Sequence, residues 1–210
     1  MSDMFDQTFR KVLAVSASDA PTPGGGSVSA MVGALGVAMT AMVGNLTIGK
    51  PKYAEVETEI KEITGKAYYI ISRLEKLVAA DIAAFGKFMD VYRLPKNTDE
   101  EKAKREDAMQ KALKTATNEP MQIARTLLEA LVITEQLSKI GNTMAISDAG
   151  VAAYVCEAAI NSVLLSADIN IPMVKDQDFV NGVVAEKNNI VAEAKRLKDL
   201  AVATVNERMK

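Results

Sequence analysis

A chain of 210 residues with 49% hydrophobic and 25% charged residues suits one domain over residues 1–210, large enough to bury about 70% of its unfolded surface. A net charge of −2 with a pI near 5.4 excludes the basic footprint of a nucleic-acid binder. The chain has no His, no Trp and one Cys, which removes intrachain disulfides, Ser-His-Asp and Cys-His triads and the usual zinc ligands.

In chain order, residues 2–15 read as a short amphipathic helix, and Asp3 and Asp6 stand where a signal peptide would be basic. Residues 16–26 hold Pro21, Pro23 and three successive glycines, a loop by every breaker rule. From 24 to 49 no residue is charged, a length that could cross a bilayer. The stretch is rich in Gly, Ser, Thr and Asn and lacks an aromatic belt, so it reads instead as a buried helix over 27–46, with no membrane involved. Gly33, Gly36, Thr40 and Gly44 share one side of it, and Ala30, Ala34, Ala38 and Ala41 a neighbouring side. Such spacing lets another helix approach closely, at the centre of a bundle or at a subunit interface.

Gly49, Lys50 and Pro51 stop that helix, and a long one follows over 53–92. Leu94 to Asn97 breaks it. Thr98 with Glu101 makes a capping box, with Asp99 and Glu100 in the first turn, for a helix reaching 137 and kinked near Glu119 and Pro120. Gly141 and Asn142 form a turn, and Ser147 reads as the N-cap of a helix to 167. A connector at 170–172 leads to a last helix over 176–207. Nothing alternates as a strand and no linker divides the chain, so the expected fold is a single all-α domain, a bundle of long antiparallel helices.

Chemistry must rest on carboxylates, Lys, Tyr, amides or backbone dipoles. Pro23, Gly24, Gly25, Gly26 and Ser27 open into the uncharged helix. Bare glycine N–H groups at a helix N-terminus suit an anionic or carbonyl-rich ligand, although the same residues could be a plain turn. Asp81 falls inside the apolar stripe of Ile63, Ile70, Leu74, Leu77, Val78, Phe85, Phe88 and Tyr92. An unpaired buried carboxylate costs several kcal/mol, so Asp81 is either a buried cap for a neighbouring helix or a proton donor with a raised pKa. Ser147 and Asp148 are an N-cap with an acid behind it, or ligand contacts. Asn45, Thr47 and Lys50 either cap the buried helix or touch a polar ligand. Cys156 reads as a small core residue.

These segments together resemble the cyclodeaminase/cyclohydrolase family of tetrahydrofolate enzymes. The resemblance is carried by Pro21-Thr22-Pro23-Gly24-Gly25-Gly26-Ser27 with Asn45-Leu46-Thr47, by Asp81-Ile82-Ala83-Ala84-Phe85 leading to Tyr92-Arg93-Leu94-Pro95, by Ile146 to Ala152, and by Asp168 to Ile171. It spans nearly the whole chain in order. It implies Asp81 as the proton donor, the glycine loop at a folate site, and a homo-oligomer, at least a dimer, with the small-residue helix at its core. Residues 94–102 and 113–117 look most like the stand-alone cyclohydrolase branch. The implied reaction is reversible hydrolysis of 5,10-methenyltetrahydrofolate to 10-formyltetrahydrofolate in the cytoplasm, without metal or cofactor, on a folate with or without a polyglutamate tail that Lys50 could meet. Cyclisation of 5-formiminotetrahydrofolate with loss of ammonia is the alternative, and a non-catalytic folate-binding or structural oligomer is the third.

Overall fold

Helix α2 (Gly25–Asn45) is packed on three sides because its glycines leave room for other helices. A Cβ at Gly33 would run into Leu127, one at Gly36 into Val155 and Cys156, and one at Gly44 into Thr64. These neighbours belong to three different helices, so the small residues serve the centre of the bundle. In this computed structural model the described residues are 4–210; Ser2 and Asp3, assigned above to the first helix, lie outside them.

Among the described residues there are six α-helices and no strand: α1 (Phe9–Ser16), α2, α3 (Glu57–Tyr92), α4 (Asp99–Ile140), α5 (Ile146–Asp168) and α6 (Gln177–Arg208). Helix α2 is antiparallel to α3, since Gly26 faces Asp81 whereas Gly44 faces Thr64. It is also antiparallel to α5, with Gly25 beside Ser166 and Gly36 beside Cys156. Helix α4 returns along α3, where Arg73 reaches Thr126 and Glu129. Helix α6 runs parallel to α4 through the Lys114–Asp176 and Arg125–Glu186 ion pairs, and Arg208 ends the register by donating to the carbonyls of Ser138 and Gly141. One continuous core joins Val37, Ile60, Leu74, Leu127, Leu131 and Ile160. By length and composition α2 could cross a membrane, as could residues Thr143–Met173, but α3, α4 and α5 pack against α2 on three sides here.

Several boundaries differ from the sequence expectation, each for a local reason. The N-terminal helix is split into a 3-10 turn at Met4–Asp6 and α1, whose N-cap Thr8 accepts from Lys11 N–H. No residue of α1 is buried. The long third helix begins with a 3-10 segment, Pro51–Val56, because Tyr53 departs from helical geometry. Ser147 is not a cap: Asn142 accepts from Met144 N–H and starts a 3-10 turn that places Ser147 inside the first turn of α5. Helix α4 continues through Pro120 as one helix of 42 residues.

Candidate active site

Antiparallel packing brings the middle of α3 level with the N-terminus of α2. There the Ser27 hydroxyl donates to Asp81 Oδ2 at 2.6 Å, and the Ser27 backbone N–H is a second donor to the same carboxylate. Ser27 is fully buried and Asp81 half-buried. Gly26 permits this approach, since a Cβ on it would lie 2.7 Å from Asp81 Oδ1. Burial holds the Asp81 carboxyl above the ordinary Asp range, and the Ser27 hydroxyl and N–H pull it only partly back.

Asp81 also opens onto a cleft of about 350 Å³. One wall is the N-terminus of α2 with Gly24, Gly25 and Gly26; N-cap Gly24 offers no side chain to the first-turn N–H groups of α2. Phe85 and Phe88 of α3 form a second wall, Ala116 and Pro120 of α4 a third, and Ser166, Ile169, Asn170 and Met173 the fourth. Flat apolar walls with a few polar groups suit a fused-ring ligand. Glu119 lies close enough for the Asp81 charge to act on it: burial raises its pKa, the Asp81 charge raises it further, and Lys87 opposes both. The site is therefore biased toward cations and toward protonated carboxyls.

The candidate residues separate into two groups. Gly24, Gly25, Gly26, Ser27 and Asp81 come together, with Pro23 buried beneath the loop. Asn45, Lys50, Ser147 and Asp148 gather at the other end of the bundle. Helix α2 has 21 residues, about 30 Å at the rise of an α-helix, so within one chain Lys50 does not border this cleft. Asn45 there donates to the Tyr68 hydroxyl at 2.8 Å, and Thr47 and Asn142 tie the two helix ends together. Cys156 is fully buried against α2 and its thiol is pushed up to about 12, which leaves it no nucleophilic role.

Phe85 and Phe88, expected in the core stripe, are cleft walls, with Phe85 and Tyr92 exposed. The stripe is core only up to Asp81. In the sequence Glu119 marks only a helix bend, and Asn170 a connector inside the Asp168–Ile171 segment that carries the family resemblance; Pro120 is the signal for a site role, because it frees a backbone carbonyl that some side chain must satisfy.

The family model described as formiminotransferase-cyclodeaminase matches residues 8–189. Methenyltetrahydrofolate cyclohydrolase of Methylorubrum extorquens is 40% identical over 97% of this chain and 98% of that protein. Formimidoyltransferase-cyclodeaminase of Rattus norvegicus is 29% identical over 98% of this chain, which spans 38% of the rat protein. The crystal structure of formiminotetrahydrofolate cyclodeaminase from Thermotoga maritima matches with a TM-score of 0.87 at 27% identity, covering 97% of this chain and 98% of that one.

Proposed function

The chain belongs to the formiminotransferase-cyclodeaminase family, and on that premise we propose that it hydrolyses 5,10-methenyltetrahydrofolate reversibly to 10-formyltetrahydrofolate. The observation that carries the reading is the half-buried Asp81 carboxyl, held by Ser27 at the head of α2 and facing the cleft. The relative at 40% identity over matching lengths bears the name of this activity.

The methenyl carbon belongs to a cationic amidinium, which the Asp81 and Glu119 carboxyls favour electrostatically. Water attacks that carbon and gives one proton to Asp81. The C–N5 bond breaks as Asp81 returns the proton to N5, and the hydroxyl proton of the adduct leaves to solvent as the formyl C=O forms on N10. A pKa raised by burial suits a group that must both take and give a proton. Water, Asp81 and the substrate account for every proton, so this route calls for no metal or cofactor.

The cyclodeaminase reading, with N10 attacking a formimino carbon and ammonia leaving, is supported by the likeness to the Thermotoga enzyme. Parallel kcat/KM measurements on the methenyl and formimino substrates decide between the two. Higher efficiency on the methenyl substrate is expected, higher efficiency on the formimino substrate reverses the ranking, and turnover of neither leaves a folate-binding or structural oligomer.

The working unit is at least a homodimer acting in the cytoplasm. Support for the dimer comes from the outer faces of α2 and α5, where Leu35, Tyr154 and Leu165 are 58%, 54% and 69% exposed. Val32 and Leu165 there line a shallow groove adjoining the cleft.

A further inference from the structure

Pro120 lies inside α4 and has no N–H, so the carbonyl of Ala116 one turn earlier lacks its helical donor. Asn170 supplies that donor: its Nδ2 donates to Ala116 O at 3.1 Å and to Ser166 O at 3.0 Å. Carbonyl oxygens cannot donate, so the amide has one allowed orientation. Its two N–H groups are spent on backbone, and Oδ1 is left as a pure acceptor with no hydrogen bond from any described residue. Asn170 is half-buried and borders the cleft that holds Asp81. The chain beyond it is pinned as well, since Gln110 accepts from Lys175 N–H at 2.8 Å and donates to Met173 O at 3.1 Å. The result is a rigid acceptor in the wall of an otherwise largely apolar cleft, and a ligand that fills the cleft must offer it a donor or leave it dry and unpaired.

We propose that Asn170 Oδ1 accepts a hydrogen bond from the N3–H, the N8–H or the 2-amino group of the bound pterin, making Asn170 a specificity residue and Pro120 the positioning residue that fixes its orientation. The proposal rests on the folate reading above. Within a folate the pterin carries several N–H donors, and the facing Phe85 and Phe88 side chains suit its fused ring.

The test measures dissociation constants of tetrahydrofolate and of its 2-desamino, 3-methyl and 8-deaza analogues, each lacking one donor group, against wild type and Asn170→Ala. The expected pattern is a loss of about tenfold on tetrahydrofolate and on two analogues, the size of one hydrogen bond. On the third analogue, which has already lost the donor, the variant costs less than about twofold. Because Asn170→Ala also strips Ala116 of its donor, the measurement is repeated with Pro120→Ala in the same chain. That change restores a helical N–H to Ala116 and removes a helix breaker, and the same pattern is expected. An equal loss on all four ligands, or no loss, overturns the role of Asn170 while leaving the folate reading standing. Wild type binding none of the four overturns both.

Discussion

Gly26 and Asp81 lie so close that a single methyl group on Gly26 would fall 2.7 and 2.9 Å from the two carboxylate oxygens. A Cβ on Gly24 or Gly25 meets nothing nearer than 3.9 or 3.7 Å. The three glycines, equivalent in the sequence, are therefore unequal in the fold. Gly26→Ala should push the Asp81 carboxyl out of line and lower kcat by about 10²-fold, the scale of a lost general acid–base group, with a fall in Tm because the buried Ser27 donors lose their acceptor. Gly25→Ala should keep kcat within about threefold, well short of such a loss. Equal kcat values for the two variants would refute the steric argument.

Asp81 accepts from Ser27 at the head of α2 and lines the cleft at once, so a cap and a proton donor need not be different residues. Asp81→Asn should lower kcat by about 10²-fold or more. The pH dependence of its stability has a definite sign. A folded-state pKa raised above the unfolded value means that protonated Asp81 stabilises the fold. That contribution is complete below the unfolded pKa of about 3.9 and is lost as pH rises through the higher folded value. The Tm of Asp81→Asn relative to wild type should therefore climb between acid and neutral pH, and a difference that stays flat or falls would contradict the raised pKa.

Activity should persist in full with EDTA present. The proposed route moves every proton between water, Asp81 and N5, and among the described residues no three carboxylates or thiols cluster as metal ligands. Loss on chelation, restored by a divalent ion, would replace this mechanism with a metal-assisted one.

For assembly, the informative substitutions are on the outward face of α2 and α5. Gly36 faces α5 of its own chain, so Gly36→Leu would disturb the fold before any interface. Val32 and Leu165 face outward, and Val32→Glu with Leu165→Glu should yield a folded monomer by light scattering, since charge on an apolar contact is costly to desolvate. A dimer unchanged by both substitutions would place the interface elsewhere.

The helices were legible because their punctuation is strong: Thr98 with Glu101, Gly49 to Pro51, and Asp176 all cap or stop where expected. Periodicity also singled out Asp81 as a carboxylate on an apolar stripe. It could not reveal that the stripe leaves the core at Asp81 and lines a cleft, because an apolar position reads alike against a core and against a ligand space. Nor does spacing along one helix say which end meets the site, so Asn45 and Lys50 were grouped with glycines a helix length away. Asn170 stands out in the sequence only through the resemblance of its segment; its place in the cleft wall, and that of Glu119 near Asp81, need the tertiary contacts of α4.

Glu119 offers the sharpest electrostatic test. Its side chain is half-buried near Asp81, and the methenyl substrate carries a positive charge that 10-formyltetrahydrofolate lacks. Glu119→Gln keeps the shape and removes the ionisable group, so at a pH above the raised Glu119 pKa it should weaken binding of the methenyl form by about threefold to tenfold, the scale of one partly screened charge interaction. Binding of the 10-formyl form should change by less than about twofold, having no such interaction to lose. The equilibrium constant of the overall reaction cannot change, so the ratio of forward to reverse kcat/KM at fixed pH must match wild type. The lost affinity for the methenyl form therefore has to surface in the ratio of the two kcat values. Equal weakening of both forms would show that Glu119 shapes the cleft without acting through its charge.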